Sequence, residues 1–366
     1  MKKPNKEVKD KKVEAKPEAK DRLKRLEALV ASIKKNHGEG AVFYGDMPIK
    51  AVEVIPTGSM ILDAAAGIGG MPKGRIIEIF GPEASGKSTI CLTIVASAQK
   101  RGLKCAYIDT ENALDSKYSE DLGVNTKELI ISQPDCAEDA LDIFKAIAES
   151  GVVDVIVLDS VAALVPRAEM EGEMGDQSMG VQARMMSKAL RVLNGILNRK
   201  GCLGIFINQL RMKIGVMYGN PETTTGGNAL KYYASIRLRV SKGESIGDNI
   251  GHMIKVKFAK NKMAPPFTEC EVPLIYGKGV DQVGDLFSMA KEFDVLNVKG
   301  AHSYFEGVKV GASRDETLAK LREDKTLFDK VEKGVRDELK RRQDGGKVLT
   351  PGEVEEDADG EEPSED

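Results

Sequence analysis

Between Arg75 and Asn208 the chain alternates short apolar runs with longer amphipathic stretches. The runs are RIIEIF (Arg75 to Phe80), CAYID (Cys105 to Asp109), VDVIVLD (Val153 to Asp159) and CLGIFIN (Cys202 to Asn208), each flanked by turn residues. Apolar runs this short predict strands buried on both faces. The stretches between them, Ser88 to Gln99, Ala137 to Ser150 and Val181 to Asn198, carry helical spacing. Strand, turn and helix repeated in this way predict an α/β core, a mostly parallel sheet covered by helices on both faces. ASIRLRV (Ala234 to Val240) and HMIKVKFAK (His252 to Lys260) instead alternate apolar and charged residues. That is the pattern of antiparallel strands with one wet face, and they are expected to extend the sheet.

Both ends of the chain differ from this core. Residues 1–20 are Lys-rich with almost nothing to bury, and read as a basic arm. Asp21 is a suitable N-cap for a helix ending near Gly38, with Leu23, Leu26, Leu29, Val30 and Ile33 on one stripe. The stripe docks either on another subunit or on the protein's own core. After residue 281 come a helix around Gly284 to Phe293, a strand region near Tyr304 to Val310, and charged helices from Asp315 to Arg342. The expected organisation is therefore an arm and helix over 1–50, a core over 51–281, a small separate domain over 282–345, and an acidic, disordered tail over 346–366.

The composition, 41% apolar and 30% charged over 366 residues, is that of a soluble globular protein. No run approaches the ~18 apolar residues that would span a bilayer, and the Lys-rich start lacks the apolar stretch of a signal peptide, so a cytoplasmic location is expected. The net charge of −3 gives no molecule-wide basic field, so any polyanion site must be local. Cys91, Cys105, Cys136, Cys202 and Cys270 are scattered without a CxxC pair, which predicts buried, reduced thiols.

The strongest chemical signal is GPEASGKS, comprising Gly81, Pro82, Glu83, Ala84, Ser85, Gly86, Lys87 and Ser88, and followed by Thr89. It is a complete GxxxxGK[ST] between a predicted strand and a predicted helix. Loop amides and the helix N-terminus would hold the phosphates of ATP, Lys87 would neutralise them, and Ser88 would ligate Mg²⁺. Asp159 ends another strand, where a carboxylate can hold the metal through water. Glu111 follows CAYIDT and is the candidate base that activates water. CLGIFINQ delivers Asn208 and Gln209 to the same edge as amides able to sense a γ-phosphate.

After Gln209 comes a Gly/Thr/Asn-rich stretch with Arg211 and Lys213 near its start. It reads either as a floppy connection or as a loop that orders around a polyanion such as single-stranded nucleic acid. The Met/Gly-rich segment Glu169 to Gly180 carries acids that repel phosphate, so its composition alone does not make it a DNA binder.

Taken together, GPEASGKST, AYIDTENALD, VDVIVLDSVAALVP, EGEMGDQSMG, INQLRMKIGVMYGNPETTTGGNALK and VKFAKNKMAPPF closely resemble the bacterial RecA recombinase family. The resemblance runs over about residues 55–285 almost without a gap. It implies a RecA-type P-loop NTPase core with an N-terminal polymerisation helix and a small C-terminal α/β domain. It also implies a DNA-dependent ATPase that forms a helical filament of its own copies on single-stranded DNA, pairs it with homologous duplex, and promotes self-cleavage of a LexA-type repressor in the SOS response. By the same resemblance Asp115 and Tyr118 contact the adenine, and Lys260 and Lys262 reach the γ-phosphate held by the next subunit. Lys231, Tyr232 and Arg237 fall in the subunit interface. Met179, Gly180, Arg184, Ser187 and Arg191 from one loop and helix, and Arg211, Lys213, Gly226, Gly227 and Asn228 from the other, contact DNA. The C-terminal domain would be a secondary duplex site and the acidic tail a competitor for the basic surface.

A hexameric helicase, a P-loop small-molecule kinase and a nucleotide-gated scaffold are the competing readings. A kinase should carry an Arg-bearing lid and an acceptor pocket, whereas the segment after Gln209 is Gly/Thr-rich. A helicase usually adds an arginine finger and a further domain, for which the short C-terminal region leaves little room.

Overall fold

The structure, a computed structural model, describes residues 17–38, 41–42, 52–172, 180–212 and 222–344. Contacts divide the chain into two compact units, Met1–Ala51 and Val52–Asp366. The first holds α1 (Pro17–His37), on which Leu23, Leu26 and Leu29 are exposed. The helix starts four residues before the expected cap at Asp21, so residues 17–20, read as the end of the arm, form its first turn, while residues 1–16 of the arm and the acidic tail over 346–366 lie outside the described residues.

The second unit opens with β1 (Val54–Ile55), α2 (Met60–Ala65) and β2 (Met71–Pro72). It continues with β3 (Ile76–Gly81), α3 (Lys87–Lys100), β4 (Cys105–Asp109), α4 (Ser116–Asp121), β5 (Leu129–Ser132), α5 (Ala137–Ser150) and β6 (Val155–Asp159). Then follow α6 (Arg167–Glu171), α7 (Val181–Lys200), β7 (Leu203–Met212), β8 (Glu222–Thr224), α8 (Ala229–Tyr233), β9 (Ile236–Ile246), β10 (Gly251–Asn261), β11 (Glu269–Ile275) and β12 (Gly279–Val280). The last elements are α9 (Gln282–Glu292), β13 (Asn297–Lys299), β14 (His302–Phe305), β15 (Val308–Gly311), α10 (Arg314–Glu323) and α11 (Lys325–Asp344).

Strand order in the main sheet is β12-β11-β10-β9-β3-β7-β6-β4-β5, with β8 paired to β7. β3, β7, β6, β4 and β5 run parallel, and β9 joins β3 in parallel before β10 and β11 turn back antiparallel. The α/β core is thus as the pattern predicts, and the sheet is extended as expected, except that β9 joins the core in parallel and the antiparallel pairing begins only between β9 and β10. Successive side chains of a strand face opposite ways. Accordingly Val155 and Val157 enter one hydrophobic cluster with α3, while Ile156 and Leu158 enter another with α5 and α7. Phe144 of α5 stacks on Phe206 of β7 in this second cluster, ring centroids 5.1 Å apart. All five cysteines are buried and free.

Residues 282–344, expected as a small separate domain, fall in the same compact unit as the core. Leu286, Phe287, Val331, Val335 and Leu339 share the cluster that holds α3. One buried carboxylate fastens this region: Asp285 of α9 accepts hydrogen bonds from Met60 N, from Ile61 N (3.2 Å) and from the Ser59 hydroxyl (3.1 Å) at the start of α2. Removing it strands buried amide donors, which costs about 1–3 kcal/mol for each unsatisfied group. Asp285→Ala is therefore expected to lower the stability of the chain by about 3 kcal/mol in urea titrations. An unchanged midpoint would contradict the anchoring role.

Candidate active site

The phosphate loop is held by its surroundings. β3 is buried along its whole length, flanked by β7 and β9, and ends at Gly81, where any Cβ would come within 2.0 Å of Val240 O. Gly86 adopts φ 92°, and a Cβ there would meet Ile254 Cδ1 at 2.7 Å. Only glycine fits at either position, and between them the chain turns sharply enough to present the N-terminus of α3. Ser85 Oγ donates to Pro82 O at 2.8 Å, and Lys87 Nζ donates to the same carbonyl at 2.6 Å. Burial pulls the Lys87 ammonium below its ordinary value, while Asp159, Glu111 and Glu83 support the charge. A glycine-dependent turn leading into a helix N-terminus, with a buried ammonium beside it, suits phosphate.

The neighbouring strand ends bring the predicted carboxylates to this loop. Asp159, at the end of β6, accepts from Ser88 Oγ at 2.8 Å and from Tyr107 OH at 2.6 Å, both on Oδ2. Its pKa is raised, by burial first, with the two hydroxyl donors opposing. Among the described residues no group of three or more His, Cys, Asp or Glu forms a ready metal cage. A serine hydroxyl and an aspartate beside a phosphate loop are instead hard oxygen donors, and they fit Mg²⁺ shared with phosphate oxygens. Glu111, just past β4, accepts on Oε1 from Ser160 Oγ and from Gln209 Nε2, the latter at 3.0 Å. Lys87, Ser88, Glu111, Asp159 and Gln209 thus gather at the carboxyl edge of four adjacent strands, where α/β sheets bind their ligands.

On the far side of α3, Tyr118 OH bonds Thr89 Oγ1 at 2.9 Å. Asp115 caps α4, its Oδ1 accepting from Lys117 N at 2.8 Å and Tyr118 N at 3.1 Å. Lys260 and Lys262 stand apart from the loop. Lys260 Nζ donates to the carbonyls of Lys231 (2.6 Å) and Tyr232 (3.1 Å), and Lys262 Nζ to that of Tyr232 at 3.5 Å. Burial, with Lys262 and Arg237 nearby, pushes Lys260 down to about 8.

Of the predicted DNA-contacting residues, Met179 and Lys213 lie outside the described residues. Gly180 caps α7 with φ 84°, and Arg184, Ser187 and Arg191 follow at helical spacing, the two arginines exposed. Arg211 is exposed near the end of β7, and Asn228 caps α8. The glycine pair lies close against Val161 and against Ala183 of α7. A Cβ at Gly226 would meet Val161 Cγ1 at 2.9 Å, and one at Gly227 would meet Ala183 Cβ of α7 at 2.8 Å. The segment after Gln209 departs from the expected loop, because Leu210–Met212 extend β7 and pair with β8 in the register Leu210↔Thr224.

Three residues of this edge have no counterpart in the sequence reading. Tyr107 and Ser160 orient the two carboxylates, and the fully buried Glu78 pairs with Arg237 Nε at 2.5 Å. Tyr107 looks like core from its place in an apolar run. Glu78 carries a usable signal, a charge inside RIIEIF.

A parallel sheet whose central strand runs through a glycine-cradled loop into a buried helix, with carboxylates on the adjacent strand ends, defines a P-loop nucleoside triphosphatase. Within that class, the family of the RecA N-terminal domain matches residues 24–281. Protein RecA of Kineococcus radiotolerans is 49% identical over 343 residues, covering 93% of this chain and 98% of the relative. Protein RecA of Campylobacter lari is 50% identical over 324 residues (87% and 94%), and that of Acinetobacter baumannii 48% over 341 (92% and 98%). The chain belongs to the RecA family, and it is a DNA-dependent ATPase of recombination and repair. Among the described residues no helix is long and apolar enough to cross a membrane.

Proposed function

We propose that this protein assembles as a helical filament of its own copies on single-stranded DNA, pairs that strand with homologous duplex, and drives strand exchange by hydrolysing ATP in the cytoplasm. One observation carries the reading. Lys87, Glu111, Asp159 and Gln209 converge on one edge, whereas Lys260 and Lys262 bond α8 carbonyls instead. In a filament those two lysines reach the phosphates of a neighbouring copy, so turnover waits on assembly. Charge developing on the transferring phosphoryl group is then stabilised by groups of two subunits.

In this reading Gly81 to Thr89 hold the triphosphate, and Tyr118 and Asp115 hold the adenine. Ser88 and Asp159 would hold Mg²⁺, which would offset phosphate charge. Glu111 takes a proton from the attacking water, and Gln209, bonded to it, senses the γ-phosphate. Arg184, Ser187 and Arg191, together with Gly180, Arg211, Gly226, Gly227 and Asn228, track the DNA backbone, as do Met179 and Lys213. Contacts of that kind hold DNA without reading it, which leaves homology to base pairing. The exposed apolar stripe of α1 supports docking on an adjacent copy. By resemblance the same filament promotes self-cleavage of a LexA-type repressor in the SOS response.

The test is ATP hydrolysis by the purified chain with Mg²⁺, with and without long single-stranded DNA. Stimulation by about tenfold or more is expected, because DNA brings the trans lysines into place. Equal turnover in both conditions would contradict the filament reading.

A further inference from the structure

Glu78 is the one charged residue in β3, and it is completely buried. Sheet formation does not call for it, since Ile76, two positions earlier on the same face of the strand, packs an apolar side chain into the cluster of α5 and α7. A buried carboxylate is retained only where partners compensate its lost hydration. Here there are two. Arg237 Nε, on β9, donates to Oε2 at 2.5 Å, and Asn208 Nδ2, on β7, donates to Oε1 at 3.0 Å.

Each partner leads to a different functional feature. Asn208, itself fully buried, uses its remaining capacity on the chain around it. Nδ2 also donates to Thr225 O at 3.1 Å, while Oδ1 accepts from Thr225 Oγ1 at 2.5 Å and from Gln209 N at 2.9 Å. Thr225 immediately precedes the Gly226–Gly227 pair seated on Val161 and α7, and Gln209 reaches Glu111. On the other side the Arg237 guanidinium lies over the Phe80 ring, 4.4 Å from its centroid. Lys260 of β10 stands directly opposite Arg237 in the β9–β10 register, so the ion pair lies beside its ammonium, with Arg237 disfavouring and Glu78 favouring that charge.

We propose that Glu78 is a positioning residue for DNA-dependent hydrolysis: through Asn208 it links the segment at Thr225 to Gln209, and through Arg237 it sets the field at Lys260. This rests on the reading of Gln209 and Glu111 given under Proposed function. The arrangement is satisfied only with a carboxylate at position 78. A neutral amide of the same shape has one acceptor, so its NH₂ faces either the Asn208 amide donors or the Arg237 N–H. Movement at Thr225 when DNA binds then no longer transmits to Gln209 in one geometry.

Glu78→Gln and Thr225→Val separate this role from simple support of the fold. Thr225→Val deletes the hydroxyl bond to Asn208 and leaves the buried ion pair alone. In the full-length chain, the ratio of ATP turnover with long single-stranded DNA to turnover without it is expected to fall about tenfold in Glu78→Gln and about threefold in Thr225→Val. KM for ATP should stay within about twofold of wild type in both. A merely structural role would lower the melting temperature and scale both rates together, so an unchanged ratio in Glu78→Gln overturns the proposal. Should that variant not fold, an unchanged ratio in Thr225→Val overturns it equally. Absence of stimulation in the wild-type chain would instead bring down the filament reading, a failure visible before either variant is compared.

Discussion

Lys87→Ala is expected to abolish ATP turnover, with a fall of about a thousandfold or more, the scale seen when a cation at a transferring phosphoryl group is lost. Lys87 is the first residue of α3, and its ammonium folds back onto Pro82 O, inside the cradle formed between Gly81 and Gly86. Burial weakens the charge, yet Asp159, Glu111 and Glu83 all act to keep it. A phosphate entering the cradle adds a much stronger anion at short range, and the attraction grows as the separation falls. Alanine removes that charge without penalising the helix, since no residue has a higher helix propensity. The variant should therefore fold with a melting temperature close to that of wild type while neither binding ATP tightly nor hydrolysing it. Hydrolysis assays with a thermal melt as control check this, and retained turnover would sink the phosphate-loop assignment.

The parts legible in the sequence are those encoded locally. Buried parallel strands write themselves as unbroken apolar runs, so β3, β4, β6 and β7 are visible, and with them the edge that carries Lys87, Glu111, Asp159 and Gln209. Elements made by distant partners are not. β5 is the end strand of the sheet and leaves Ile130 and Ile131 exposed, so LIIS has neither alternation nor the length of a core run. β8 is the polar triplet Glu-Thr-Thr, a strand only because β7 runs on to Met212 and pairs with it. The link between 282–344 and the core passes through Asp285, whose partners at α2 lie more than two hundred positions earlier.

The same holds for the site. Its phosphate loop is contiguous and its chemistry follows from eight residues in a row. Glu78 and Arg237 are 159 positions apart, and Glu78 and Asn208 are 130 apart, so no spacing rule joins them. Lys260 and Lys262 are a third case. Their bonds to the α8 carbonyls appear only in the fold, and in the sequence they stand out by family resemblance alone.

Glu111→Gln is expected to keep ATP binding and lose the chemical step, with kcat falling about a hundredfold to ten-thousandfold, the usual contribution of a general base. The geometry favours so clean a separation. Glu111 receives Ser160 Oγ and Gln209 Nε2 on the same oxygen, Oε1, and the carbonyl of a glutamine in that place can accept both. Ser160, Gln209 and the backbone around Thr110 then have no reason to move. What disappears is the capacity to take a proton from water at the γ-phosphate. Because binding is retained, KM for ATP should change little, the pattern of an interaction used mainly in the transition state. A filament whose release from DNA depends on hydrolysis should then persist on single-stranded DNA with ATP bound. Turnover measured beside dissociation from labelled single-stranded DNA reads both effects. A variant hydrolysing at the wild-type rate would show that another group activates the water and that Glu111 only orders the loop.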